Sequence, residues 1–303
     1  MNPRLLGYAL VAAAALGWGT WPLILKWAAR GGALAPASQS AIVMVVLTAG
    51  SGVAMVKDRV RAKATAREWL GVAWLGVADA ANVVFFFAAY QMTSVAIAVL
   101  THYLAPIFVA LAAPLVARER PRATVYVAVA IAFGGLVVLL APWSARLGPR
   151  DALGAACGAA SAVFYASNVL VNKRLAHAFS GSELMFYHGF VALPALLLVA
   201  PRGELAHVSS ATLGPLLVGA AGPGVVDGLL FVWGLRRVPA THASILTLLE
   251  PVGAVVIAAL ALGEPIGMAA LVGGALVLGG AALVMRPPRP GPSSDAEAAK
   301  RAE

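Results

Sequence analysis

Charge is what this sequence has least of. Only 12% of its 303 residues are Asp, Glu, Lys or Arg, where a soluble domain carries about 25%. A chain that is 61% hydrophobic cannot hide so much apolar surface in a core of its own, so lipid must cover much of it. Cysteine is nearly missing too. Cys157 stands alone inside an apolar run, which excludes an internal disulfide and any multi-cysteine metal site. No G-x-x-x-x-G-K-[ST] run is present, so the chain has no phosphate-cradling loop for driving work with ATP. A mid-helix lysine that could hold retinal is also lacking. No cofactor and no metal is expected. The net charge of +9 is not that of a nucleic-acid partner, because the basic residues sit in short clusters between apolar stretches and in the tail.

What the chain does have is ten apolar stretches, most of them long enough for an α-helix to cross a hydrocarbon core of about 30 Å. They are read as helix 1 from Leu5 to Trp27, helix 2 from Pro36 to Val56, helix 3 from Trp69 to Gln91, helix 4 from Ser94 to Val116 and helix 5 from Ala123 to Ala141. Helix 6 follows from Ala152 to Asn172, helix 7 from Glu183 to Ala200, helix 8 from Leu213 to Leu235, helix 9 from Ala240 to Leu262 and helix 10 from Gly267 to Met285. Arg4 before an Ala-rich run has the look of a signal peptide. The run continues through Leu25 and holds Trp18, Trp21 and Pro22, so it is read as a retained helix. Residues 286–303 are rich in Pro, Ser and charge and are expected to be a disordered cytoplasmic tail.

With the N-terminus inside, 17 of the 22 basic residues fall on the inner side. They are Arg4; Lys57, Arg59, Arg61, Lys63 and Arg67; Arg118, Arg120 and Arg122; Lys173, Arg174, Arg236 and Arg237; and Arg286, Arg289, Lys300 and Arg301. Only Lys26, Arg30, Arg146, Arg150 and Arg202 fall outside. The excess places both termini in the cytoplasm and the protein in the cell inner (plasma) membrane.

The second five stretches repeat the first five. Pro106 and Pro251 lie 145 apart, as do Glu119 and Glu264, Asn82 and Asp227, and the pairs Gly134-Gly135 and Gly279-Gly280. Near the start of each half the offset is 147, matching Gly7 with Gly154 and Lys26 with Lys173. Residues 5–141 and 152–285 are thus two five-helix repeats. Because five is odd, they face opposite ways in the bilayer, a common internal design of secondary transporters. The expected fold is all-α, a polytopic membrane protein of ten transmembrane helices in two inverted repeats.

Several segments carry a family resemblance: ALGWGTW in helix 1, YLAPIFVALAAPLVARERP in helix 4, LLEPVGAVVIAALALGEP in helix 9, and the FGGLVVL and LGGALVL of helices 5 and 10. In these the chain resembles the drug/metabolite transporter superfamily, in particular its EamA-type ten-helix exporters, over residues 5 to 285. In general look it is similar to bacterial amino-acid exporters, the aromatic amino-acid group included. The resemblance implies a secondary transporter that exports small organic metabolites, amino acids first, by alternating access. It also implies that the protein is not an enzyme. Its partners are then a small-molecule substrate and the lipid bilayer, and not nucleic acid.

Polar groups in hydrocarbon are costly, about 2.5–3.5 kcal/mol for a central Asp on insertion scales, and usually face a cavity or a partner. The candidates are Asp79 and Asn82 on helix 3, His102 and Tyr103 on helix 4, Tyr165 and Asn168 on helix 6, His188 on helix 7, Asp227 on helix 8 and Glu250 on helix 9. They are read against structural roles such as local pairing and interhelical bonding. Trp18 and Trp21 form an aromatic stripe suited to an apolar side chain or a cation. Pro106, Pro223 and Pro251 are expected to kink their helices and serve gating, with glycines near Pro223 lowering the rigidity of helix 8. Together these residues should line a central cavity, with Asn82 and Asp227 near each other. Lys26 with Trp27, and Glu119 with Glu264, read as anchors at helix ends. Most of Phe85, Phe86, Phe87 and Tyr90 should face lipid or neighbouring helices.

Two other readings stay open. One is multidrug efflux of lipophilic cations. The remote one is an intramembrane enzyme with Asp79 and Asp227 as an aspartyl dyad, although Gly224-Val225-Val226-Asp227 departs from the G-x-G-D pattern such enzymes resemble. The topology makes a first prediction: a phosphatase active only outside the cytoplasm, fused at Arg301, should be silent. Strong activity there would rule out ten helices with both termini inside.

Overall fold

The computed structural model describes residues 2–60, 64–145 and 148–286, and no strand occurs among them. The tail expected after Arg286 lies outside the described residues. Ten helices are long and apolar enough to cross a membrane: α1 (Pro3–Gly31), α2 (Pro36–Asp58), α3 (Ala66–Met92), α4 (Val95–Val116), α5 (Ala123–Ser144), α6 (Asp151–Leu175), α7 (Gly181–Val199), α8 (Ser210–Leu235), α9 (Ala240–Leu262) and α10 (Met268–Met285). α9 begins and ends where the sequence places it. α3 and α7 start earlier than expected, because Thr65 with Glu68 and Ser180 with Glu183 form capping boxes that satisfy the first backbone N–H groups.

Four of the ten helices are irregular, and each irregularity has a proline in or just after it. α1 breaks at Gly19-Thr20, ahead of Pro22; α4 at Tyr103-Leu104, ahead of Pro106; and α9 at Thr247-Leu248, ahead of Pro251. Each proline sits within the first three residues of the segment that restarts the helix, where its missing N–H costs least. The kinks at Pro106 and Pro251 therefore lie two to four residues before the prolines. Nearby hydroxyls add bonds to carbonyls beside the breaks: Thr20 donates to Gly17 O at 2.7 Å, Thr101 to Ile97 O at 2.8 Å and Thr247 to Ser244 O at 2.7 Å. In α8, Pro223 lies inside a π-helical stretch, Ala220–Val226, and the helix runs on through it. Widening the turn absorbs the proline without a break.

Successive spans alternate in direction, so both described chain ends lie at one face, called here the terminal face. α5 packs on α10, α2 on α7, α3 on α6 and α7, and α8 on α1 and α2. Exchanging each helix of the first half with its counterpart in the second returns this same set of pairs. Many contacts are made through small residues, which let backbones approach where lipid offers no hydrophobic drive between helices. A Cβ on Gly135 would meet Gly273 O at 2.7 Å, and one on Gly280 would meet Ala132 Cβ at 2.7 Å. Their sequence neighbours Gly134 and Gly279 face open space. Of each glycine pair, only the second residue is held by packing. Large apolar side chains such as Leu198, Leu260 and Leu115 stand exposed on the outside, as a lipid-covered surface requires.

This contrast is testable. Gly135→Val should destabilise the detergent-solubilised protein by about 1–3 kcal/mol through overpacking, and Gly134→Val should leave its melting temperature nearly unchanged. Equal effects from the two would contradict the assigned α5–α10 contact.

Candidate substrate path between the two halves

Two facing stripes build the site. On α3, Asp79, Asn82, Phe86 and Tyr90 recur at helical spacing on one face; on α6, Ser161, Tyr165 and Asn168 do the same. The antiparallel packing of the two helices brings the stripes together. Ser161 donates to Asn82 Oδ1 at 2.8 Å, and its hydroxyl lies 2.7 Å from His102 Nδ1. The single serine proton goes to Asn82, so His102 Nδ1 must carry the proton of the second bond. His102 Nε2 is left as an acceptor with no partner among the described residues. Aromatic rings surround this imidazole: Phe86 at 4.3 Å, Tyr103 at 5.3 Å and Tyr165 at 5.4 Å between centroids.

From there the cluster crosses to the second half of α9. Tyr90, Tyr103 and Tyr165 lie near enough to the Glu250 carboxylate to feel its charge, and no hydrogen bond joins them to it among the described residues. Asn82, Ser161 and His102 are joined by hydrogen bonds, and Tyr103, Tyr165 and Glu250 lie beside them, in one group spanning α3, α6, α4 and α9. It runs past the breaks in α4 and α9, where Tyr103 and Thr247 themselves sit.

One turn along α3 lies a second polar group. Asp79 Oδ1 accepts from Asn168 Nδ2 at 3.5 Å, and Oδ2 lies 3.8 Å from His188 Nε2. His188 Nδ1 is 2.8 Å from Leu184 O, and a carbonyl can only accept, so Nδ1 carries a proton. Attraction to Asp79 then requires a second proton on Nε2. Asn168 Oδ1 and the nearby-helix hydroxyl Thr48 Oγ1 are buried without partners among the described residues.

The third group lies on α1 and α8, and it explains the GWG run. A Cβ on Gly17 would collide with the Asp227 carboxylate, and one on Gly19 would lie 2.6 Å from Ala254 N and 2.9 Å from Glu250 O. Between them, Trp18 donates its indole N–H to Pro223 O at 2.9 Å and tilts against Phe231 at 5.2 Å. The first glycine makes room for the acid on α8, the tryptophan ties α1 to the π-helical stretch, and the second glycine lets α1 touch the α9 backbone at Glu250, Gly253 and Ala254. Trp21 packs over Gly219, whose Cβ would lie 2.8 Å from the indole ring. Both tryptophans therefore have partners on α8, in addition to any wall they present.

The amino-acid pattern of one known family matches residues 5–141 and again residues 152–286, under the description EamA-like transporter family. The chain belongs to the EamA-like transporter family. A protein of Archaeoglobus fulgidus named "Uncharacterized transporter" is 28% identical over 212 residues, covering 70% of this chain and 75% of that one. A solved structure titled "Crystal structure of protein" shares the fold at a TM-score of 0.77 and 20% identity, covering 93% of this chain and 98% of that one.

In this EamA-like chain the structure gathers His102, Tyr103, Tyr165, Asn82 and Glu250 into one cluster and Asp79 with Asn168 into another. Asp227 stands apart against Gly17. No hydrogen bond joins Asn82 to Asp227 among the described residues, because α3 spends this face on α6 while α8 turns the matching position toward α1. Asp79 and Asp227 likewise have different neighbours and form no dyad. The residue that sequence reasoning missed is Ser161, fully buried and central; serine is too common in membrane helices to stand out, and only its spacing four before Tyr165 could have flagged it. Of the aromatic run on α3, Phe86 packs on His102 of α4 and Phe85 stacks on Phe164 of α6. Ser161→Ala should therefore lower transport roughly tenfold, since it leaves both Asn82 and His102 without their shared partner. Its yield and size-exclusion profile should stay normal. Unchanged flux would show that the Asn82–Ser161–His102 chain has no part in transport.

Proposed function

We propose that this protein is a secondary transporter that exports small organic metabolites, amino acids first, by alternating access through a central path between its two halves. The observation that supports this reading best is the group of polar and aromatic residues from Asn82 to Glu250, which lies between the halves where α4 and α9 are broken. Discontinuous helices at a repeat interface are where transporters of this design bind substrate. The chemistry suits an amino acid. A carboxylate such as Glu250 can take an ammonium group, the open Nε2 of His102 can accept a further hydrogen bond, and the rings of Phe86, Tyr103 and Tyr165 can cover an apolar side chain. The separate Asp79–His188 pair can take up or release a proton during the cycle. In this reading the protein lies in the cell inner membrane, and the terminal face is cytoplasmic, as the basic clusters require.

A second reading, efflux of lipophilic cations, rests on the same aromatic rings around Glu250. Purified protein in liposomes, given a panel of labelled amino acids and a dye cation with and without a pH gradient, separates the two. Amino-acid flux that Glu250→Gln reduces about tenfold or more, with little dye movement, is the expected result. Dye flux alone would favour the second reading, and stimulation by the gradient would mark proton coupling.

A further inference from the structure

The two halves are alike in sequence, but their ends are bonded differently at the two faces. At the terminal face, both oxygens of Glu119, at the end of α4, accept from Ala240 N at 2.9 Å and so cap the start of α9. Lys173, near the end of α6, donates to Leu235 O at 2.9 Å and Val238 O at 2.7 Å and holds the turn between α8 and α9. Arg174 adds a bond to Val116 O at 2.9 Å. The segments behind these contacts, Ala240–Leu246 of α9 and Ala105–Val116 of α4, pack on each other. Ala240, Ile245 and Leu246 are all 0% exposed.

The counterparts at the opposite face are open. Glu264 is the repeat mate of Glu119, and Lys26 is the mate of Lys173. Both are exposed, and neither has a hydrogen-bond or ion-pair partner among the described residues. The mates of their targets are Val95 N, and the carbonyls of Tyr90 and Thr93. There, the start of α4 is held instead by Asp151, through the Thr93 hydroxyl. Val95 is 61% exposed and Leu262 is 41% exposed, and Val95–His102 makes no packing with Leu249–Leu262 comparable to that of their counterparts. α4 and α9 therefore cross, closed at the terminal face and splayed at the other.

We infer that Glu264 and Lys26 are the latch of the opposite face. When the protein converts to its other state, Glu264 caps the start of α4 as Glu119 now caps α9. Lys26 takes the carbonyls of Tyr90 and Thr93 as Lys173 now takes those of Leu235 and Val238. The physical ground is that inverted repeats can exchange conformations: whatever bonds close one face are available, by the same residues at the same offsets, to close the other. Residues that a bilayer would leave as simple end anchors are then unpaired only because this structure captures one of two states. This inference rests on the alternating-access reading above.

The test uses the full chain in liposomes with Cys157→Ser and a reporter pair, Val95→Cys and Leu262→Cys, cross-linked by a short bifunctional thiol reagent. Removing a terminal-face latch by Glu119→Ala should raise the cross-linking rate about tenfold, equivalent to a shift of about 1.4 kcal/mol between states. Lys173→Ala serves as a second unlocking variant should Glu119→Ala fold poorly. Adding Glu264→Ala, or Lys26→Ala, should return the rate toward that of the parent. A raised rate that neither addition changes overturns the latch while alternating access stands. A rate that responds to neither unlocking variant overturns alternating access and the latch with it.

Discussion

A backbone amide or carbonyl in hydrocarbon must find a partner inside the protein, and the irregular parts of this molecule are arranged around that need. An unbroken helix meets it automatically but cannot bend toward a ligand. Here the chain gives up regular helix at four places and supplies each from nearby. Thr20, Thr101 and Thr247 donate to carbonyls beside the breaks in α1, α4 and α9, and Trp18 reaches from α1 to the carbonyl of Pro223 in the widened turn of α8. The breaks are tolerated because other helices cover them, and the same covering brings the polar side chains of α3 and α6 to the breaks in α4 and α9.

Close approach of the backbones is the second requirement, and glycine meets it. Gly17 and Gly19 set α1 against α8 and α9, while Gly135, Gly273 and Gly280 set α5 against α10. These contacts act on different parts of the molecule. The α5–α10 contact carries none of the polar candidates. The α1 contacts touch Asp227 and the start of the second segment of α9, next to Glu250. A movement of α9 would be felt by α1 and α8 through these contacts, which links the breaks to the groups that could hold a substrate.

The asymmetry between the faces joins fold to function. Two five-helix halves of similar sequence carry the same acids and lysines at matching offsets, yet only Glu119 and Lys173 are bonded, while Glu264 and Lys26 are exposed. In the proposed alternating-access cycle, like residues in unequal environments would mark one of two states.

The sequence alone determined the number and order of the helices, because the bilayer imposes length and apolarity on each span and offers little else to choose from. It also located the repeat, since Pro106 with Pro251 and Glu119 with Glu264 recur at one offset. The candidate residues were legible as a set, because a polar side chain in an apolar run is rare enough to notice. Their grouping was not. That Asn82 meets His102 through Ser161, that Asp227 rests on Gly17, and that Glu264 has no partner among the described residues while Glu119 is bonded all depend on which helix faces turn toward each other. Only the tertiary structure decides this, since a helix sequence records which residues share a face but not which neighbour that face meets.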